Sequence, residues 1–148
     1  MVNDRVPENY VGEVLFPEGN QVPCQAYDSY VPVMGDIVSL YSSTTTWPPQ
    51  VALWTSGRPF GVVVSIESPG PGLTGTPIFT VLTRGVVKLI AYGSISAGAQ
   101  ITAHACTANT NGNTVEPVTA ADSASNFGTA MQSASSGDSI AFAINGVI

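Results

Sequence analysis

Short runs of apolar and β-branched residues follow one another along the chain, and helical spacing is hard to find. Fifteen glycines and eleven prolines interrupt the 148 residues. Seven runs have the length and composition of strands: D-I-V-S-L-Y (36–41), V-A-L-W (51–54), F-G-V-V-V-S-I (60–66), I-F-T-V-L-T (78–83), G-V-V-K-L-I-A (85–91), Q-I-T-A-H-A (100–105) and S-I-A-F-A-I-N-G-V-I (139–148). The pattern predicts an all-β fold.

Both faces of several predicted strands are partly apolar. Side chains alternate along a strand, so the run 78–83 places Ile78 and Leu82 on one face, and Phe79 and Val81 on the other. A strand with one wet face would alternate between apolar and polar residues. We therefore expect strands that are covered on both sides, in a small barrel or a sandwich.

Two segments between the strands have a distinct local composition. N-T-N-G-N-T (109–114) contains Asn111-Gly112, and both residues tolerate the positive φ of a tight hairpin turn. The segment 119–134 is the only one with helix-compatible composition, but its serine and glycine content argues against a long helix. We expect a hairpin at the first segment and no more than a turn or two of helix in the second.

The chain also contains an internal repeat. The pair Phe60-Gly61 matches Phe127-Gly128, and R-G-V-V (84–87) matches N-G-V-I (145–148). Other matches follow in the same order, with separations of 61 to 67 residues: Gly35 with Gly98, and Ile78 with Ile140. The unit occurs over about 31–91 and 95–148, which predicts two similar halves that close one β-structure, since about four strands cannot bury both faces alone.

Composition and charge exclude several classes of partner. Four basic residues face ten acidic ones, for a net charge of −6, so the chain cannot form the cationic surface that nucleic acid requires. No apolar run is long enough to span a bilayer, and M-V-N-D-R-V-P-E-N-Y (1–10) shows no secretory signal. Charged residues are only 9% of the chain, against about 25% in ordinary domains, which favours a surface packed against other protein chains.

Residues with catalytic or metal-binding chemistry are few and scattered. Cys24 and Cys106 lie far apart, and His104 is the only histidine, without the clustered ligands that a metal site needs. Asp36 and Asp138 follow glycines at strand starts, where turn chemistry explains them. The sequence therefore predicts no catalytic, cofactor or metal site, and we expect a protein that is not an enzyme.

A succession of weak motifs carries a family resemblance when it is taken in order. The motifs are G-D-I-V-S-L (35–40), P-F-G-V-V-V (59–64), R-G-V-V (84–87), S-A-G-A-Q-I-T-A (96–103), F-G-T-A (127–130) and S-S-G-D-S-I-A-F (135–142). In this order the chain resembles the small capsid decoration, or cement, proteins of tailed bacteriophages, which carry two passes of such motifs. Ala99 stands where that family more often has aspartate.

The resemblance implies an architecture and a role. The fold would be a β-tulip or a small barrel-like sandwich, and the protein would form a homotrimer. It would bind the major capsid protein on the outside of an icosahedral head, bridging and stabilising its subunits. It would be made in the host cytoplasm, reside on the outer surface of the virion capsid, and carry no catalytic residues.

A second function remains open from the sequence. A tail-fibre or cell-surface carbohydrate-binding module would use Trp47, Trp54 and Tyr41 as a stacking platform. The same tryptophans could instead be interface anchors or fill the core.

Residues 1–30 lie outside the repeat, and we divide the chain into an extended N-terminal arm (1–30) and a β domain (31–148). The arm contains three prolines and apolar residues without a regular period, among them Tyr10, Leu15 and Phe16. Ordering such a segment costs about 1–2 kcal/mol per residue, so these side chains need a surface on which to dock. That surface is either a neighbouring subunit or shell protein, or the chain's own barrel, to which the arm would add a first strand.

Overall fold

The structure, a computed structural model, describes residues 14–67, 78–104, 114–118 and 126–145, with residues 14–19 described by their backbone. These residues form nine strands and no helix. In chain order the strands are β1 (Val14–Ala26), β2 (Ile37–Leu40), β3 (Gln50–Leu53), β4 (Gly61–Glu67), β5 (Ile78–Ala91), β6 (Gln100–Ala103), β7 (Thr114–Pro117), β8 (Gly128–Ala130) and β9 (Ser139–Asn145). The predicted all-β class is confirmed.

The strands form one sheet in the order β1-β3-β2-β4-β5-β7-β6-β8-β9. A direct pairing of β1 with β5 closes the first five strands into a barrel, and a pairing of β5 with β9 returns the remaining strands to β5. Each described strand therefore has a neighbour on both sides over part of its length. Such closure removes the open edges at which sheets of different molecules can join.

The strand β5 belongs to both circuits of pairing. Its first part pairs with β1 and β4, and Arg84–Ile90 pairs with Ser139–Asn145 of β9. The sequence predicts two strands here, 78–83 and 85–91, but the structure has one continuous strand of 14 residues. Between Leu82 and Arg84 the partner β4 gives way to β9, while β1 stays paired as far as Val87, so the backbone remains in the sheet across Gly85.

The two circuits use the same kinds of pairing. The first has a parallel pair between β1 and β3, where Gln25 lies opposite Gln50, and the second has a parallel pair between β5 and β7, where Ile90 lies opposite Thr114. All other pairings are antiparallel. Each circuit is therefore an antiparallel sheet closed through one short parallel contact.

Buried apolar residues form two clusters on opposite faces of shared strands. Neighbouring residues on one strand belong to different clusters: Val81 packs in the smaller cluster, and Leu82 packs in the larger one. Val38 and Ile37 divide in the same way, and so do Val63 and Val62. The prediction that the strands are covered on both sides is confirmed. The outer face of the barrel is thus buried against the strands that follow it.

Two segments named from the sequence are only partly covered by the structure. Asn111-Gly112, the predicted hairpin turn, lies outside the described residues. In the helix-compatible segment the residues 126–134 form β8 and turns, while 119–125 lie outside the described part. Among the described residues, nothing forms a helix long and apolar enough to cross a membrane.

The repeated Phe-Gly pairs have a steric explanation. A Cβ atom on Gly61 would collide with the carbonyl oxygen of Leu82 in β5, and one on Gly128 would collide with the carbonyl oxygen of Ala143 in β9. The preceding phenylalanines, Phe60 and Phe127, are both buried in the core. The glycine lets the backbone approach its neighbour closely at the point where the aromatic ring enters the core.

We expect Gly61→Ala and Gly128→Ala to lower the free energy of unfolding by on the order of 3 kcal/mol each, because the added methyl group meets backbone that cannot move without breaking the sheet. The control is Gly57→Ala, where no atom lies within 4 Å and only the positive φ of 76° opposes the substitution. That change should cost about 1 kcal/mol. Urea denaturation measures all three, and equal losses at Gly57 and Gly61 would contradict the steric account.

Candidate functional site

The predicted interface residues of the N-terminal segment are only partly placed. Tyr10 lies outside the described residues. Leu15 and Phe16 lie in β1, where the backbone of Phe16 is paired with Val86 of β5. From Asn20 onwards β1 continues along β5 to Gln25, so the second half of the segment 1–30 is a strand of the barrel. This arrangement matches the alternative in which the arm adds a strand to its own barrel, for residues 14–26.

The two tryptophans have different environments. Trp47 is 74% exposed. Trp54 is half-buried, packs against the larger core cluster, and donates a hydrogen bond from Nε1 to the carbonyl oxygen of Gly57 at 2.7 Å. Trp47 can therefore meet a partner, whereas Trp54 mainly supports the fold.

The proposed carbohydrate platform is only partly available. One face of the Tyr41 ring is covered by Tyr27, with ring centroids 3.7 Å apart and an interplanar angle of 16°. Trp54 is held against the core. Of the three aromatic residues named for the platform, Trp47 alone is widely exposed.

A second stacked pair occupies the corresponding place in the other circuit. Tyr92 stacks on His104 with centroids 3.6 Å apart, and Nδ1 of His104 lies 2.7 Å from Oε2 of Glu116. Glu116 lies on β7, the neighbour of β6, and His104 directly follows β6. His104 therefore has a ring contact and a side-chain partner on the sheet. Sequence analysis did not pair His104 with Glu116, although the predicted turn at 111–112 would bring these two segments together.

An opening lies beside the loop between β1 and β2. It is a cavity of about 420 Å³. Tyrosine rings, aliphatic side chains and two carboxylates line it, including Asp28, Tyr30, Val31, Val33, Asp36 and Leu53. Val31, at its rim, is 76% exposed, and Val33 and Met34 are exposed as well. The opening therefore combines an apolar rim with acidic groups, and the sequence did not predict it.

Asp36 is fixed by the turn that begins β2. Its backbone N–H donates to the carbonyl oxygen of Val33 at 3.0 Å, and Gly35 has a φ of 91°, which suits glycine. Its side-chain Oδ2 accepts hydrogen bonds from the hydroxyl group of Tyr30 at 2.7 Å and from the backbone N–H of Val33 at 3.1 Å. The residue is only 8% exposed. The aspartate therefore does more than close a turn: it places a carboxylate in the wall of the cavity.

Burial is the main influence on this carboxyl group. It raises the pKa of Asp36 above its usual value, and the hydrogen bonds from Tyr30 and Val33 oppose the rise without cancelling it. Asp138 forms the same turn in an exposed position, where its Oδ2 accepts from the backbone N–H of Ser135 at 2.9 Å. The prediction of turn chemistry therefore describes Asp138 fully and Asp36 in part.

The described residues contain little other reactive chemistry. They include no group of three His, Cys, Asp or Glu side chains that could hold a metal ion. Burial raises the pKa of the Cys24 thiol to about 12, so this cysteine stays protonated at neutral pH. Cys106 lies outside the described residues. No family model matches the chain, and no match is found among curated proteins.

The raised pKa of Asp36 gives a pH dependence of stability. Between the pKa of the unfolded chain, about 4, and the higher pKa of the folded state, the folded protein binds more protons, so the free energy of unfolding falls as pH rises. Asp36→Asn removes this group and keeps an oxygen that can accept both hydrogen bonds. The difference in unfolding free energy, wild type minus variant, should fall across that interval and then level off.

Urea denaturation of both proteins from about pH 3 to pH 8 measures this difference. Asp138→Asn is the matched control, because it removes the carboxylate from an exposed turn with the same backbone hydrogen bond. A difference that rises with pH for Asp36→Asn would contradict the effect of burial.

Proposed function

We propose that this chain is a structural protein of a tailed-phage virion that binds the outside of an icosahedral head and stabilises it by bridging major capsid protein subunits. The observation that carries the proposal is the position of the resembling motifs in the sheet. The glycine turns at Gly35 and Gly98 and the two Phe-Gly pairs make matching backbone contacts. Gly35 donates to the carbonyl oxygen of Val63 at 2.8 Å, and Gly98 donates to that of Ala130 at 2.7 Å. These matching contacts support the assignment of the motifs to one repeated unit.

The proposal includes an internal duplication. In its terms β2, β3, β4 and the first part of β5 correspond to β6, β7, β8 and β9, and β1 corresponds to the second part of β5. The pairing registers support this correspondence, but they change one of the residue matches made from the sequence, that of Ile78 with Ile140. Gln25 begins the parallel contact of the first circuit, and Ile90 begins that of the second. Gln25 is paired with Ile78, and Ile90 is paired with Ser139, so Ser139 corresponds to Ile78. Ile140 therefore corresponds to Phe79 rather than to Ile78.

A role without catalysis fits the surface. The chain has few charged residues, and its exposed large apolar side chains include Trp47 and a group in the loop before β2, namely Val31, Val33 and Met34. Exposed apolar residues that lie together are typical of contacts with other proteins. We propose that these residues contact the capsid or a neighbouring copy.

We propose a homotrimer as the bound form. Each described strand already has partners on both sides over part of its length, so closing open strand edges is not the main task left for a trimer. Contacts between copies would instead involve side chains and loops. The N-terminal residues, with Tyr10, would reach a neighbouring subunit or the shell, while residues 20–26 remain in the barrel.

Heads that lack this protein should assemble and then melt at a lower temperature than coated heads, because a protein that binds only the assembled lattice stabilises it by mass action. Adding purified protein back to bare heads should restore the higher melting temperature. Calorimetry of bare, coated and reconstituted heads measures the effect. Equal melting of all three would reject the cementing role.

Removal of residues 1–16 should leave the domain folded and weaken its attachment. The deletion removes the pairings of Val14 and Phe16 but keeps those from Asn20 to Gln25. Burial of Tyr10, Leu15 and Phe16 contributes about 1.5–3 kcal/mol each before the entropy of ordering is subtracted. A net loss of about 1–3 kcal/mol corresponds to a five- to hundredfold lower affinity for heads.

The matched control is removal of residues 1–26, which takes away the strand that closes the barrel and should unfold it. Circular dichroism reports folding, light scattering reports trimer mass, and cosedimentation reports binding to bare heads. If removal of residues 1–16 unfolds the protein, the segment belongs to the core. If affinity and trimer mass are unchanged, the segment reaches no partner.

A further inference from the structure

We propose that the cavity between the β1–β2 loop and β3 is a binding site for one lysine or arginine side chain of a partner protein. The partner's identity as a capsid protein rests on the proposed function, whereas the preference of the cavity for a cation does not. The proposal follows from the shape of the cavity, its charge and the state of Asp36.

The charges at the cavity have one sign. Its two ionisable carboxylates are Asp28 and Asp36, and none of its lining residues is basic. The described arginine and lysine side chains are Arg58, Arg84 and Lys88, and none of them lines the cavity. Arg58 and Arg84 donate hydrogen bonds to the carbonyl oxygen and the side-chain oxygen of Asn145, respectively. The site therefore lacks a cation from the described part of the chain.

The Asp36 carboxylate can accept a further hydrogen bond. It is more than nine-tenths buried, and both hydrogen bonds that it accepts within the described residues end on Oδ2. Oδ1 is left for a ligand. A buried carboxylate without a nearby cation is costly, which is why burial raises the pKa of Asp36, and an incoming ammonium or guanidinium group would offset that cost.

The walls fit the rest of such a side chain. Lysine and arginine combine three or four methylene groups with a charged head, and they commonly lay the stem along apolar surface. Val31, Val33 and Leu53 supply that surface at the rim and wall. A volume of about 420 Å³ accommodates a single long side chain with some of its backbone. A carboxylate ligand would meet two acids here, and a purely apolar one would leave the Asp36 carboxylate without a cation.

The first test uses small probes, so that it does not depend on capsids. N-acetyl-arginine methylamide and N-acetyl-lysine methylamide are titrated into the full-length protein at low salt, with amide chemical shifts as the readout. We expect saturable shifts confined to residues 27–36 and 52–53, with half-saturation at millimolar concentration, as befits a single side chain. The neutral isostere N-acetyl-citrulline methylamide should bind at least about tenfold more weakly. Equal binding of citrulline, or no shifts at these residues, would overturn the proposal.

Substitution of single aspartates shows which carboxylate binds the cation. Asp36→Asn should weaken arginine binding by about tenfold or more, and Asp28→Asn by a smaller factor. Asp28 has a φ of 56°, a conformation that asparagine also tolerates, so this second variant keeps the test valid if Asp36→Asn fails to fold. Asp138→Asn, in the exposed turn of the same kind, should leave binding unchanged. A loss of binding in Asp138→Asn equal to that in Asp36→Asn would overturn the assignment.

The chain's own Arg5 lies outside the described residues and is tested as a competing source of a cation. Arg5→Gln should leave probe affinity unchanged, and a severalfold gain would show that the chain fills its own cavity, which overturns the assignment to a partner. Cosedimentation with bare heads then separates the two proposals. If the probes bind but the wild-type protein does not bind heads, the proposed function fails and the cation site stands. If heads bind wild type and Asp36→Asn equally, the cavity does not contact them.

Discussion

The strand β5 is the element on which both circuits of the sheet depend. Its backbone groups pair with β1 and β4 over the first part and with β9 over the second, and it touches β7 at its end. A buried strand cannot leave its N–H and C=O groups without partners, because each unpaired group costs about 1–3 kcal/mol. Closure of the barrel, return of β9, and burial of apolar residues on both faces are therefore consequences of how this one strand is paired.

Much of the fold follows from local sequence patterns. The runs 36–41 and 139–148 contain β2 and β9, and the run 60–66 covers all of β4 but its last residue, since β-branched residues with apolar side chains on both faces are typical of covered strands. The strand β7 was not predicted, because Thr114–Pro117 is too short to show a period. The continuity of β5 was missed as well, because a glycine in a strand often marks an end, whereas here the partners on both sides hold the backbone in line.

The part of β1 that was assigned to an arm shows why a proline-rich segment can mislead. Pro23 lies within the strand and is paired with Thr80. Proline lacks an N–H donor, so it is tolerated where one side of a strand has no neighbour. The pairing of β1 with β3 covers only Gln25 and Ala26, so Pro23 has a partner on one side alone. The prolines therefore predicted the absence of a second neighbour at that point, not the absence of a strand.

The candidate site was less accessible to sequence analysis than the fold. Trp47 and Asp36 were both singled out, but the cavity was not, because its walls come from residues 27–36 and from Ala52 and Leu53 of β3. These segments meet through the short parallel pairing of β1 with β3 and the antiparallel pairing of β2 with β3, and no local sequence pattern indicates either pairing. His104 and Glu116 were also considered separately, since their contact depends on the pairing of β6 with β7.

The sharing of β5 also has a consequence for the order of events during synthesis. All strands of the first barrel lie between residues 14 and 91, so this circuit can close while the rest of the chain is still being made. The residues Ile37, Val62 and Leu82 on its outer face then stay exposed to solvent until the later strands cover them. During that interval the second part of β5 lacks its β9 partner and is a temporary open edge. A ribosome that pauses before β9 would therefore prolong the exposure of this apolar surface and of the unpaired edge of β5, which are features that favour aggregation.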